Sequence, residues 1–214
     1  MNSKVVIIDY QLGNLFSVKQ ACEYLGYDAI ISSNPEELLA ADYAILPGVG
    51  AFNDSMKNLE SFGLVKAIHQ YINSGKPFMG VCLGLQLLLT ESEEFGSTKG
   101  LNIIPGIVKK FPPDINHEFK VPQIQWNQIF EPSDGKWQNT ALCVCKPGDY
   151  MYFVHSFYAQ PDSEDYVLAK TTYGGTSYCS SVQRANVFAT QFHPEKSGLH
   201  GVEIYKQWFD QNKK

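Results

Sequence analysis

The sequence predicts an α/β fold with a central, largely parallel sheet flanked by helices and extra antiparallel strands in its second half. Three observations carry that expectation. Residues 4–81 alternate short β-branched apolar runs with stretches of helical periodicity, the pattern of repeated strand–helix crossovers. From residue 107 onward, strand candidates follow one another with little helical signal between them, which favours antiparallel or mixed pairing. An amphipathic run near the end returns a helix to the sheet.

Lys4 to Asp9 reads as a buried strand. Leu15, Val18, Cys22 and Leu25 then recur at helical spacing, and Gly26 follows as a stop. Asp28 to Ile31 is a second strand. Asn34, Pro35 and two glutamates then supply a cap, a first-turn proline and charges matched to the helix dipole. Tyr43 to Leu46 is the third strand, Ala51–Leu59 and Leu64–Asn73 are helical, and Gly75-Lys76-Pro77 opens a fourth strand through Phe78 to Val81. An apolar helix is expected to run on through Gln86 to Leu89. Further strands are expected at Ile107–Phe111, Gln123–Phe130, Ala141–Cys145, Tyr150–Ala159, Tyr166–Thr172, Ser177–Gln183 and Val187–Phe192, and a helix over Gly201–Gln211 docks through Val202, Tyr205, Trp208 and Phe209. No repeat or linker interrupts the chain, so a single domain over residues 1–214 is expected.

Composition narrows the partners. Of 214 residues, 44% are hydrophobic and 18% charged, with 17 Lys and Arg against 22 Asp and Glu and a net charge of −5. An acidic chain without a basic cluster argues against nucleic acid and anionic membranes as partners. The most apolar stretch, Pro77 to Leu89, is interrupted by Gly80, Gly84 and Gln86 and is shorter than a spanning helix requires. The N-terminus lacks the features of a secretory signal, so a cytoplasmic location is expected. Five scattered cysteines without C-x-x-C or paired-histidine spacing support neither a disulfide framework nor a metal site, and no cofactor is expected.

Chemistry concentrates in three places. Gly80-Val81-Cys82-Leu83-Gly84, between a strand and a helix, is a cysteine version of the nucleophile elbow. Its glycines allow close backbone approach, and a helix N-terminus behind Cys82 favours thiolate. Taken alone, G-x-C-x-G more often marks a small packing cysteine. His193-Pro194-Glu195 follows an apolar strand; in an extended segment Glu195 reaches one ring nitrogen of His193 and leaves the other for Cys82. A lone strand-end histidine is more often structural, but a nucleophile and a base strengthen each other. Pro47-Gly48-Val49-Gly50 can aim backbone N–H groups of Val49 and Gly50 at an oxyanion, joined by that of Leu83, although a plain strand–helix turn explains it almost as well. His69, His117 and His200 read as structural or surface residues. The aromatic run Tyr150 to Tyr158 reads as a core strand.

Together these segments resemble class I (triad) glutamine amidotransferases, with their flavodoxin-like fold, over nearly the whole chain. More narrowly, "IDYQLGNLFSV", "PGVGAF", "GVCLGLQLL", "YFVHSFY" and "QFHPEKSG" resemble the glutaminase subunits of imidazole glycerol phosphate synthases. The resemblance implies that Cys82 attacks glutamine, His193 shuttles the proton and Glu195 orients His193. It further implies that Gln86 and Glu94 hold the amino-acid end of glutamine, with Gly48 and the backbone around Ser156-Phe157 closing the site. The implied partner is a (β/α)8-barrel cyclase subunit, bound as a heterodimer, that uses the ammonia to make imidazole glycerol phosphate for histidine biosynthesis.

The chain departs from the family pattern at Gln11, where glycine is expected, at Gln123 and Gln125 within a "PHxGWN" segment near the synthase contact, and at Ala189. The two glutamines motivate a second reading, a paralogous glutaminase feeding a cyclase-like partner that amidates a surface-polysaccharide sugar. A stand-alone cysteine hydrolase would not need "VHSFY" or "QFHPEKSG", and a non-catalytic scaffold would not need the intact Cys82, His193 and Glu195.

Overall fold

The structure is a computed structural model that describes residues 3–113 and 119–213; His117 lies outside them. In chain order the first half comprises β1 (Lys4–Ile8), α1 (Leu15–Tyr24), β2 (Asp28–Ser32), α2 (Pro35–Ala40), β3 (Tyr43–Gly48), α3 (Phe52–Ser61), α4 (Leu64–Asn73), β4 (Phe78–Cys82) and α5 (Leu83–Leu87). The second comprises β5 (Leu89–Ser92), β6 (Thr98–Lys99), β7 (Ile104–Lys110), β8 (Gln123–Gln128), β9 (Tyr150–His155), β10 (Phe157–Pro161), β11 (Val167–Tyr173), β12 (Thr176–Arg184), β13 (Val187–Thr190) and α6 (Gly198–Gln211).

Local chemistry sets the helix ends where the sequence places them. Asn34 Oδ1 accepts from the Glu36 N–H at 2.8 Å, with Pro35 in the first turn. Gly26, just beyond α1, takes a φ of +83°, the left-handed conformation that ends a helix without a Cβ clash.

The main sheet runs β2-β1-β3-β4-β13-β12-β10-β7-β5-β6, and β11 also pairs with β12. Its first five strands are parallel. Beyond β13 the pairing turns antiparallel through β12, β10 and β7. Alternation along β1 splits the core: Val6 and Ile8 pack with side chains of α2 to α5, while Val5 and Ile7 pack with those of α1 and α6. Each such buried aliphatic side chain contributes roughly 1.5–3 kcal/mol. On α6 the buried face is Gly201, Ile204, Tyr205, Trp208 and Phe209, with Val202 only half-buried. Among the described residues no helix is long and apolar enough to cross a membrane.

Three expectations are corrected. The helix expected through Leu89 ends at Leu87, because Leu89 to Ser92 form β5, which pairs parallel with β7. Glu91 therefore lies on a strand. The run Tyr150–Ala159 is two strands that part at Ser156: β9 pairs with β8 in a separate two-stranded sheet, and β10 joins the main sheet between β12 and β7. Ala141–Cys145 is a series of turns, not a strand, which leaves Cys143 exposed and Cys145 buried.

Candidate active site

In an open parallel sheet, loops at the C-terminal strand ends converge on one crevice. Here β4 lies between β3 and β13, with Gly48 paired to Cys82 and Thr190 to Val81. That register puts the Gly48–Gly50 loop on one side of Cys82 and the Gln191–Glu195 segment on the other.

Cys82 sits at φ 56°, ψ −109°, a conformation rare for a residue with a side chain. The glycines around it make this turn possible. A Cβ on Gly84 would overlap the Leu46 carbonyl oxygen of β3, and one on Gly80 would lie 3.0 Å from both the Gly84 oxygen and the Ala189 Cβ. The alanine found where the family pattern has glycine thus packs against an elbow glycine. The helix behind Cys82 has only five residues, so its dipole is weaker than the sequence suggested.

His193 follows β13, and its Nδ1 lies 2.8 Å from Glu195 Oε1; the two side chains are 2% and 1% exposed. The pair is built into a short turn. Ser197 donates to the His193 carbonyl at 2.7 Å and accepts from the Tyr152 N–H at 3.0 Å, while the His193 N–H donates to the Tyr152 carbonyl at 3.0 Å. Gly201 allows α6 to lie against this turn, since a Cβ there would overlap the Pro194 carbonyl oxygen. His193 Nε2 is buried with no hydrogen-bond partner. Burial by itself lowers the pKa of His193, but the Cys82 sulfur and the Glu195 carboxylate outweigh it and hold the imidazole above its ordinary value.

A cavity of about 250 Å³ opens over the sulfur, lined by Val49, Gly50, Cys82, Leu83, Gln86, Glu94, Pro122 and the stretch Val154 to Phe157. Ten of the eleven residues that sequence reasoning singled out lie either on its wall or, for His193 and Glu195, buried beside it. Gly48 is the exception. It is covered, and a Cβ there would collide with the Tyr10 hydroxyl and lie 2.9 Å from Leu83 Cβ, so its place is under the loop and not on the substrate wall. Tyr10 in turn donates to the Pro47 carbonyl at 2.9 Å and pins that loop.

On the wall, Glu94 Oε2 accepts from the Phe52 N–H at 2.6 Å, and Gln86 Nε2 donates to the Phe157 carbonyl at 2.8 Å. His155 Nδ1 donates to the same carbonyl at 2.8 Å, and the Tyr178 hydroxyl donates to Gln123 Oε1 at 3.0 Å with its oxygen 3.3 Å from His155 Nε2. Full burial lowers the His155 pKa to about 4, against the opposing bond to Phe157, so His155 serves as a neutral strut. Sequence reasoning took "YFVHSFY" for core and missed His155, Val154, Tyr178 and Gln191. The break in apolar alternation at His155-Ser156 could have marked Val154 and His155; Tyr178 and Gln191 carry no such local signal.

Glu195→Gln keeps an oxygen for Nδ1 but removes the charge that supports imidazolium. A fall in kcat of roughly a hundredfold is expected, with KM little changed, in steady-state glutamine hydrolysis.

A fold of this kind that brings a cysteine, a histidine and a glutamate to one crevice is that of a class of protein, the class I glutamine amidotransferases. A family model described as glutamine amidotransferase class-I matches residues 6–212, and the chain belongs to that family. More narrowly, it groups with the imidazole glycerol phosphate synthase subunits HisH: it is 44% identical to that of Geobacter sulfurreducens over 209 residues, 96% of this chain and 98% of the relative. It is 47% identical to that of Syntrophotalea carbinolica over 209 residues, 96% and 99% of the two chains. Among solved structures, a glutamine amidotransferase superposes with a TM-score of 0.73 at 18% identity, covering 97% of this chain and 98% of that one. The structure titled PurLQS from Thermotoga maritima gives 0.74 at 17% identity, covering 100% of both chains. At such identities these two speak for the fold alone.

Proposed function

We propose that this chain is the glutamine-hydrolysing subunit of an imidazole glycerol phosphate synthase. The observation that carries the chemistry is the buried His193–Glu195 pair, held in the turn that follows the strand beside the Cys82 elbow, next to a cavity whose wall carries Gln86 and Glu94. Cys82 Sγ bonds to the side-chain carbonyl carbon of glutamine, and the oxyanion is met by N–H groups of Val49, Gly50 and Leu83, each worth about 3 kcal/mol. The C–N bond then breaks, His193 gives its proton to the departing ammonia, and water hydrolyses the thioester to glutamate. Gln86, Glu94, Ser156 and Phe157 hold the amino-acid end of the substrate.

Ammonia released to water is protonated and lost, so the reading includes a synthase docked over the site, a (β/α)8-barrel cyclase subunit in a cytoplasmic heterodimer. Ile124 and Trp126, 59% and 49% exposed on β8, support a partner on that face, next to Pro122 in the cavity wall. Gln125, exposed on the same strand, departs from the family pattern and motivates the second reading, a paralogue whose partner amidates a polysaccharide sugar.

The test is glutamate release by the purified chain, alone and with an imidazole glycerol phosphate synthase cyclase subunit and its ribotide. Activation of at least about tenfold by that cyclase is expected. Absence of activation, with Cys82 still labelled by a glutamine-mimicking inactivator, would select the second reading; absence of labelling as well would overturn both.

A further inference from the structure

We propose that Gln191 is a positioning residue for Cys82, one whose amide N–H₂ donates to the sulfur and holds it as a nucleophile. This rests on the reading of Cys82 as the attacking atom. Gln191 follows β13 directly, is fully buried, and has its backbone fixed by donation to the Ser180 carbonyl at 2.9 Å. Its Nε2 lies 3.7 Å from Cys82 Sγ.

The direction of this contact is set from the far end. A backbone carbonyl can only accept, so the bond from Gln86 to the Phe157 carbonyl fixes which end of the Gln86 amide faces that wall. The second hydrogen on the same nitrogen goes to Gln191 Oε1 at 2.9 Å. With its oxygen so engaged, Gln191 presents its N–H₂ group to the sulfur and cannot present an acceptor.

On another side of the same sulfur, the Val154 carbonyl lies at 3.8 Å and can accept only from a protonated thiol. The sulfur is therefore balanced between a neighbour that favours thiol and one that favours thiolate. Removing the Gln191 donor tips that balance toward an S–H that donates to the Val154 carbonyl. Replacing it with glutamate keeps an acceptor for Gln86 but sets an oxygen against the sulfur.

The experiment compares wild type, Gln191→Met and Gln191→Glu, with folding checked by thermal melting. Alkylation of Cys82 by iodoacetamide is followed by mass spectrometry of its peptide across neutral pH, beside glutamine hydrolysis with the cyclase partner. Expected for Gln191→Met is Cys82 alkylation at neutral pH slower by roughly ten- to a hundredfold, with the profile displaced to higher pH and a matching fall in kcat, as for loss of a hydrogen bond to a charged group. Gln191→Glu is expected to be slower still. Unchanged alkylation in a folded Gln191→Met protein would overturn the proposal, and so would an unslowed, folded Gln191→Glu protein. Should the glutamate variant not fold, the methionine variant decides alone. A wild type that alkylates at Cys82 but hydrolyses no glutamine with any cyclase partner would defeat the glutaminase reading and leave the Gln191 contact to be judged by alkylation.

Discussion

Cys82→Ala should abolish glutamine hydrolysis, lowering kcat by about 10⁴-fold or more, because in the proposed mechanism its sulfur forms the thioester and the proposed oxyanion donors would act on a reaction that has lost its nucleophile. Glutamate release with saturating partner measures it, and a residual rate within tenfold of wild type would mean that another residue attacks. The same position carries a second expectation of opposite sign. Cys82 holds φ 56° and ψ −109° with a side chain that the conformation disfavours. Glycine accepts it freely, so Cys82→Gly should be equally inactive yet more stable than Cys82→Ala by about 1 kcal/mol, read as a higher urea midpoint. A side chain at position 82 is thus kept at a cost in stability.

Gly84→Ala should be the most destabilising single methyl addition in the elbow, about 3 kcal/mol or more, because the new Cβ would overlap the Leu46 carbonyl oxygen. Neither party can yield cheaply. Leu46 lies within β3, paired at Gly80 on β4, and Gly84 lies in the helix that begins directly after the nucleophile. Gly80→Ala meets its neighbours at 3.0 Å and should cost less, about 1–2 kcal/mol. Urea unfolding of the three proteins tests the ranking; a Gly84→Ala protein as stable as wild type would show that α5 does not sit against β3 as described.

The parallel half of the fold was legible because its cues are local. Asn34-Pro35 and Gly26 mark helix ends through their own backbone requirements, and the apolar runs of β1, β3 and β4 are too short to be helices. The catalytic candidates were legible for a related reason: each sits in a short motif whose geometry is set within a few residues. What escaped depends on distant partners. Leu83 to Leu89 is one apolar run, and nothing within it says that Leu89 will leave the helix to pair with β7. The aromatic run from Tyr150 is likewise continuous in composition, yet Ser156 divides it between two sheets. Gln191 reads as one polar residue in a buried strand end; its meaning comes from Gln86, more than a hundred residues earlier.

The proposed base His193 and its partner Glu195 lie within three residues of one turn, and Cys82, the proposed nucleophile, ends the strand paired with the one that leads into that turn. No hinge separates the three. Fluctuations of surface loops can open or close the mouth of the cavity, but they cannot pull Cys82, His193 and Glu195 apart without breaking the sheet itself. Warming should therefore leave the spacing of the reacting atoms intact until the whole molecule melts, and changes in rate below that point belong to the loops and to whatever docks upon them.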